Sequence, residues 1–116
     1  MNFTWKQMHQ LENIDDIIRM SAIRPQIIFK HSTRCSISSV AKRRIEQAGA
    51  IESVDFHYLD LFSYRDLSNR VGEIFKVHHE SPQVLLISDG ECIYDESHMG
   101  IDMEEIREQV SQIIKG

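Results

Sequence analysis

A chain of 116 residues with 41 % hydrophobic and 27 % charged side chains has the composition of one globular domain, not of a disordered segment, and is long enough to bury a core without disulfide or metal staples. Its net charge of −5 excludes a general attraction for nucleic acid or an anionic membrane, and no stretch approaches the roughly 18 apolar residues of a membrane span. The first residues show no basic segment leading into an apolar one, so a cytoplasmic protein folded as a single domain over residues 1–116 is expected.

Phe3 and Trp5 flank Thr4 in a short alternating start, after which Leu11, Ile14, Ile17 and Ile18 recur at helical spacing. Asn13 is the expected cap of this helix, with Asp15 and Asp16 in its first turn, and Arg24-Pro25 ends it near Ser21. QIIFK, rich in β-branched residues, has the pattern of a buried strand. From Cys35 the period changes: Ile37, Val40, Ala41, Ile45 and Ala48 share a helical face, and Gly49 stops the helix. SVDFHYLDL alternates as a second strand, and Ser63, three positions before Asp66, offers a weak capping box for a helix carrying Leu67, Val71, Ile74 and Phe75. The order strand, helix, strand implies a parallel βαβ unit. QVLLIS suits a central strand, Asp89-Gly90 signals a hairpin, and ECIY returns antiparallel. Asp102 and Glu105 then form a cap pair, with Ile101 and Ile106 at staple positions, for a last amphipathic helix.

Two cysteines, Cys35 and Cys92, are too few for a disulfide framework. Cys35 stands at a helix start, where unpaired N–H groups and the positive end of the helix dipole favour an anion and hence the thiolate, the nucleophilic form. Arg34 adds positive potential, Ser38 one turn on is placed to donate its hydroxyl to the sulfur, and His31 at the strand end is placed to tune it. Three residues beyond Cys35, where a second thiol would close an intramolecular bridge, stands Ser38, and serine cannot resolve a mixed disulfide. Cys35 therefore has the pattern of a monothiol exchange nucleophile cleared by a thiol from outside. The alternative is a space-filling cysteine at a strand–helix junction. Cys92, beside Ile93 in a hairpin strand, reads as core packing ahead of a resolving thiol that would make the chain a dithiol reductase.

Pro82 stands directly before the central strand, its isomer open from sequence; if it is cis, the backbone of Ser81 is exposed to pair with an extended substrate segment. His78 and His79 lack matched ligand spacing, so no metal site is expected. Lys42, Arg43 and Arg44 either attract an anionic substrate or form a solvated helix face, the plainer reading. No Gly-rich phosphate loop, HExxH or GxSxG motif occurs.

The element order, the CxxS placement of Cys35 and Ser38, and Ser81-Pro82 before the hairpin resemble a thioredoxin-like domain, an α/β fold of three layers, α/β/α, with a mixed central sheet, a C-terminal hairpin and flanking helices. Trp5, FKHSTRCSIS at residues 29–38 and the overall length resemble, more narrowly, the monothiol bacilliredoxin family, although Ser36 stands where that family often has proline. The resemblance implies a thiol-disulfide oxidoreductase that removes bacillithiol from S-thiolated client proteins through Cys35 and Ser38, with Thr33, Arg34, Ser36, Ser81 and Pro82 as substrate contacts. It implies bacillithiol as a low-molecular-weight co-substrate, no tightly bound cofactor, and neither nucleic-acid nor membrane partners. A non-catalytic thioredoxin-like adaptor, docking partners through the sheet edge and the Pro82 region, is the competing expectation.

Overall fold

The computed structural model describes residues 3–115, and side chains through residue 113. Five strands form one sheet in the order β1-β3-β2-β4-β5, where β1 is Lys6–Gln7, β2 Gln26–His31, β3 Asp55–Asp60, β4 Gln83–Ser88 and β5 Glu91–Ser97. The β1–β3 and β3–β2 pairs are parallel, and the β2–β4 and β4–β5 pairs antiparallel. Helices α1 (Glu12–Ser21), α2 (Ser36–Ala48), α3 (Arg65–Phe75) and α4 (Met103–Lys115) cover its faces.

Alternation along the strands divides the core in two. Ile27, Phe29, Phe56, Val84 and Leu86 face α2 and α4 through Ala41, Ile45, Ile106 and Val110. Ile28, Leu59, Leu85 and Ile87 face α1 and α3 through Ile14, Ile17, Leu67, Val71 and Phe75. The result is the expected three-layer α/β/α arrangement on a mixed sheet. β2 lies at its centre, and all six of its residues are buried, which explains why QIIFK lacks the polar alternation of a half-exposed strand. The β4–β5 turn takes positive φ at both Asp89 (50°) and Gly90 (79°), the backbone that the Asp-Gly pair selects in a two-residue hairpin.

Several local expectations change. The alternating start, residues 3–5, is not itself a strand: the two-residue strand β1 follows it at Lys6–Gln7, added to the sheet edge beside β3. Asn13 does not cap α1: it lies inside the helix, and its Oδ1 accepts the N–H groups of His9 and Gln10 from the preceding turn. Ser63 does not cap α3, whose N-cap is Tyr64; its hydroxyl donates to Asp60 Oδ2 at 2.9 Å, closing the end of β3. Asp102 Oδ1 accepts the Glu104 N–H at 3.0 Å as a cap should, but Glu105 accepts from Gln109 one turn on, so the reciprocal half of that capping box is not made.

The topology gathers four connections at one end of the sheet. The register pairs His31 with Asp60, Lys30 with Gln83, and Gln83 with Ser97. Residues 32–35, 61–64, 76–82 and 98–102 therefore leave or enter the sheet side by side.

Candidate active site

Cys35 is the N-cap of α2, half-buried, with extended backbone angles (φ −110°, ψ 122°). Its N–H donates to Ser32 O at 3.1 Å, closing the turn that carries Thr33 and Arg34, and its C=O accepts the Ser39 N–H at 3.1 Å as the first bond of the helix. No side chain caps α2, so the first-turn amides of Ser36, Ile37 and Ser38 have no protein acceptor among the described residues. These donors, together with the aligned dipoles behind them, are the local field at an N-cap side chain.

Ser38 lies beneath this turn, wholly buried. The sequence suggested that its hydroxyl donates to the Cys35 sulfur, but the structure turns it the other way. Ser38 Oγ accepts the Ser32 N–H at 3.0 Å and pairs with His31 Nδ1 at 2.7 Å, and no hydrogen bond joins it to the sulfur among the described residues. His31 likewise reaches Ser38 and not Cys35. Burial, reinforced by the Lys42 charge, pushes the His31 imidazole below its ordinary value, so the ring is neutral at neutral pH. With its proton on Nε2, Nδ1 accepts the Ser38 hydroxyl hydrogen. The unit His31–Ser38–Ser32 thus ties the end of β2, the loop and the first turn of α2 together under the thiol. His31 also packs between Phe29 (5.7 Å between ring centroids) and Tyr58 (5.5 Å). Trp5 extends that stack from Phe29 and donates Nε1–H to Glu46 Oε2 at 2.7 Å.

Thr33, Arg34 and Ser36 are exposed around Cys35. The Arg34 guanidinium lies 4.0 Å above the Phe62 ring, a cation–π contact that fixes its charge beside the thiol loop. The Ser81–Pro82 peptide is cis, and Pro82 is buried with its C=O accepting the His98 N–H at 2.9 Å. Ser81 uses neither its N–H nor its C=O in a backbone hydrogen bond among the described residues.

Three contributors carried no sequence signal as site residues: Phe62 (45 % exposed), Ile37 (46 %) and Met99 (62 %). Phe62 lies under Arg34, Ile37 is in the first turn of α2, and Met99 follows His98 in the short 3-10 turn packed against α2. Phe62 and Met99 come from two different connections and Ile37 from α2, and the sheet order brings these segments to one end of the molecule. A cleft of about 410 Å³ opens along α2 between His31, Ser39, Lys42, Arg43, Glu46 and Tyr58.

Cys92 belongs elsewhere. It pairs with Ile87, which pairs with Gln26 at the opposite end of β2, so roughly five residues of strand, about 16 Å, separate its level from His31, with Cys35 further still. Its thiol donates to Tyr94 O at 3.3 Å, and burial pushes it up to about 11. His79 accepts a hydrogen bond from Lys30. Among the described residues no three His, Cys, Asp or Glu side chains gather as a metal-ligand set.

The sequence pattern of one family, described as the monothiol bacilliredoxin BrxC, matches residues 6–106. A solved structure described as having a thioredoxin fold superposes with a TM-score of 0.79 at 24 % identity, covering 89 % of this chain and 90 % of that one. Thioredoxin from Trypanosoma brucei brucei superposes with a TM-score of 0.72 at 18 % identity, over 97 % of this chain and 93 % of its own. Thioredoxin from Fasciola hepatica does so with 0.71 at 16 %, over 92 % and 97 %. At these identities the likeness establishes the fold, which is thioredoxin-like.

Proposed function

Since this chain belongs to the monothiol bacilliredoxin family, we propose that it is a thiol-disulfide oxidoreductase that removes bacillithiol from S-bacillithiolated client proteins through Cys35. The observation that carries this reading is the isolation of a half-exposed thiol at an uncapped helix start, with a serine in the resolving position and the other thiol at the far end of the sheet.

The Cys35 thiolate attacks the bacillithiol sulfur of the client mixed disulfide. A Cys35–bacillithiol disulfide forms, the client S–S bond breaks, and the client cysteine leaves as a thiolate that takes a proton from solvent. A second, free bacillithiol thiolate then attacks the bacillithiol sulfur on Cys35. It carries the cap away as bacillithiol disulfide and regenerates the Cys35 thiolate. The amides of Ser36, Ile37 and Ser38 stabilise the sulfur as attacking and as leaving anion. Ser38 acts through the loop: its bonds to Ser32 and His31 hold the geometry of Cys35 and take no part in electron transfer.

The exposed apolar side chains of Phe62, Ile37 and Met99 at this end of the sheet, with the unpaired backbone of Ser81, support a protein as first substrate. Thr33, Arg34 and Ser36 border the approach, and Pro82 sets the floor. The cleft bounded by Lys42, Arg43 and Tyr58 is large enough for a small thiol as second substrate. Strand addition at β5 is disfavoured by Glu91, Asp95 and Glu96 along that edge, which weighs against the adaptor reading. The test is intact mass after oxidised bacillithiol: a single adduct on Cys35 is expected, discharged by free bacillithiol over repeated cycles. An adduct that forms but never discharges contradicts the turnover.

A further inference from the structure

Nothing in this thiol chemistry uses Lys30, yet its side chain is 0 % exposed. It stands next to last in β2, on the face that carries α1 and α3. No carboxylate pairs with it among the described residues, and burial pushes its ammonium down to about 8. An apolar side chain would satisfy this position at lower desolvation cost. Lys30 Nζ lies against α3 at Gly72, where a Cβ would meet it in ordinary contact at 3.9 Å and would crowd Val77 O at 3.3 Å. One turn earlier on α3, Ser68 is wholly buried with its hydroxyl unpartnered.

Among the described residues the ammonium makes one hydrogen bond, from Nζ to His79 Nδ1 at 3.4 Å. Directly across the sheet from Lys30 is Gln83, whose Nε2 donates to His78 O at 2.9 Å while its Oε1 has no partner among the described residues. Two neighbouring side chains, one from β2 and one from β4, thus reach into the same connection and hold consecutive residues of it. That connection begins at Lys76, in the left-handed region at φ 58°, and delivers Ser81 with its unpaired backbone beside the thiol loop.

We propose that Lys30 is a positioning residue: with Gln83 it fastens residues 78 and 79 to the sheet and thereby sets where the Ser81 backbone meets the client segment relative to Cys35. This rests on the reading of Cys35 as acting on a protein mixed disulfide. The fastening needs His79 as an acceptor. Burial and the Lys30 charge hold His79 below its ordinary value, with Arg65 and His78 adding to that effect and Glu80 opposing it. Neutral pH therefore keeps the ring neutral. In acid, protonated Nδ1 no longer accepts and faces Lys30 as a like charge, so the loop is released.

The full chain is tested as wild type, Lys30→Met, His79→Leu, and His79→Gln, which keeps an acceptor without a titrating ring. The loop is followed by 15N relaxation of residues 78–81, which does not depend on activity. Wild type and His79→Gln are expected to be rigid at pH 7, with order parameters near ~0.85, and the other two to fall below ~0.6. Wild type loosens as the pH is lowered below the ordinary histidine range, whereas His79→Gln does not. With a bacillithiolated protein substrate, Lys30→Met and His79→Leu are expected to raise KM about tenfold, or about 1.4 kcal/mol, with kcat and Cys35 alkylation by iodoacetamide within about twofold. A rigid loop in both variants overturns the proposal, as does a loosened loop with unchanged KM, or an equal fall in KM-linked and alkylation rates. If wild type removes no cap from any protein substrate, it is the reading of Cys35 that fails; the relaxation result then still supports or overturns the fastening.

Discussion

His31 Nδ1 and Ser38 Oγ lie 2.7 Å apart, both buried, beneath a loop whose Ser32 N–H donates to the same oxygen. Ser38→Ala leaves a buried ring nitrogen and an amide without partners, a loss of about 1–3 kcal/mol. Urea denaturation at pH 7 checks it; a change below about 0.5 kcal/mol would mean that the loop re-forms without the hydroxyl.

Placing a thiol at the same position supplies the missing resolver. Ser38→Cys, treated with oxidised bacillithiol, is expected to pass through a Cys35 adduct, then expel bacillithiol and end two hydrogens lighter than the reduced variant. Wild type keeps its adduct under the same treatment. Intact-mass spectrometry distinguishes the two, and a stable adduct on the variant would show that the two positions cannot meet.

Cys92, held up at about 11 by burial, is expected to react with iodoacetamide at pH 7.5 far more slowly than Cys35, because only its thiolate alkylates. Cys92→Ala is expected to remove caps within about twofold of wild type, a difference under about 0.5 kcal/mol in the barrier. Peptide mapping and a decapping time course check both statements. A large loss on Cys92→Ala would point to a dithiol route.

At the far end of the sheet His57 Nε2 donates to Gln26 Oε1 at 2.7 Å, and Gln26 Nε2 donates to Asp55 Oδ2 at 2.8 Å. Burial, with the Lys6 charge, pushes His57 down to about 4, so the fold binds the neutral ring. The stability this contributes, on the order of 3 kcal/mol, is fully present above the ordinary histidine value near 6.5 and is lost as pH falls through about 4. His57→Gln keeps a donor to Gln26 and removes the titration. Between pH 7 and pH 4.5 its unfolding free energy is expected to fall by about 2 kcal/mol less than that of wild type. Equal losses by urea titration would mean that His57 is accessible to protons in the fold.

The order of helices and strands along the chain was legible because it rests on patterns with one physical cause each. Unbroken β-branched runs mark buried strands, Asp89-Gly90 marks a hairpin that requires positive φ, and Gly49 marks a helix end. Side-chain caps were less legible. Asn13 and Ser63 have the right chemistry at plausible spacing, but each finds a nearer partner in the chain before its helix, and spacing alone does not rank competing hydrogen bonds. The same competition redirected Ser38, since sequence shows that residue 38 is one turn from Cys35 but not that Ser32 and His31 reach it first. Phe62, Met99 and the Lys30–His79 contact depend on which loops the sheet order brings together, so no local pattern marks them.

The most direct measurement uses a bacillithiolated protein and follows the appearance of its free thiol with wild type and with Cys35→Ala at equal concentration. Wild type is expected to free the thiol and to be trapped carrying bacillithiol on Cys35, while Cys35→Ala releases no more than buffer alone. Equal release by the two proteins would contradict the assignment of the chemistry to Cys35.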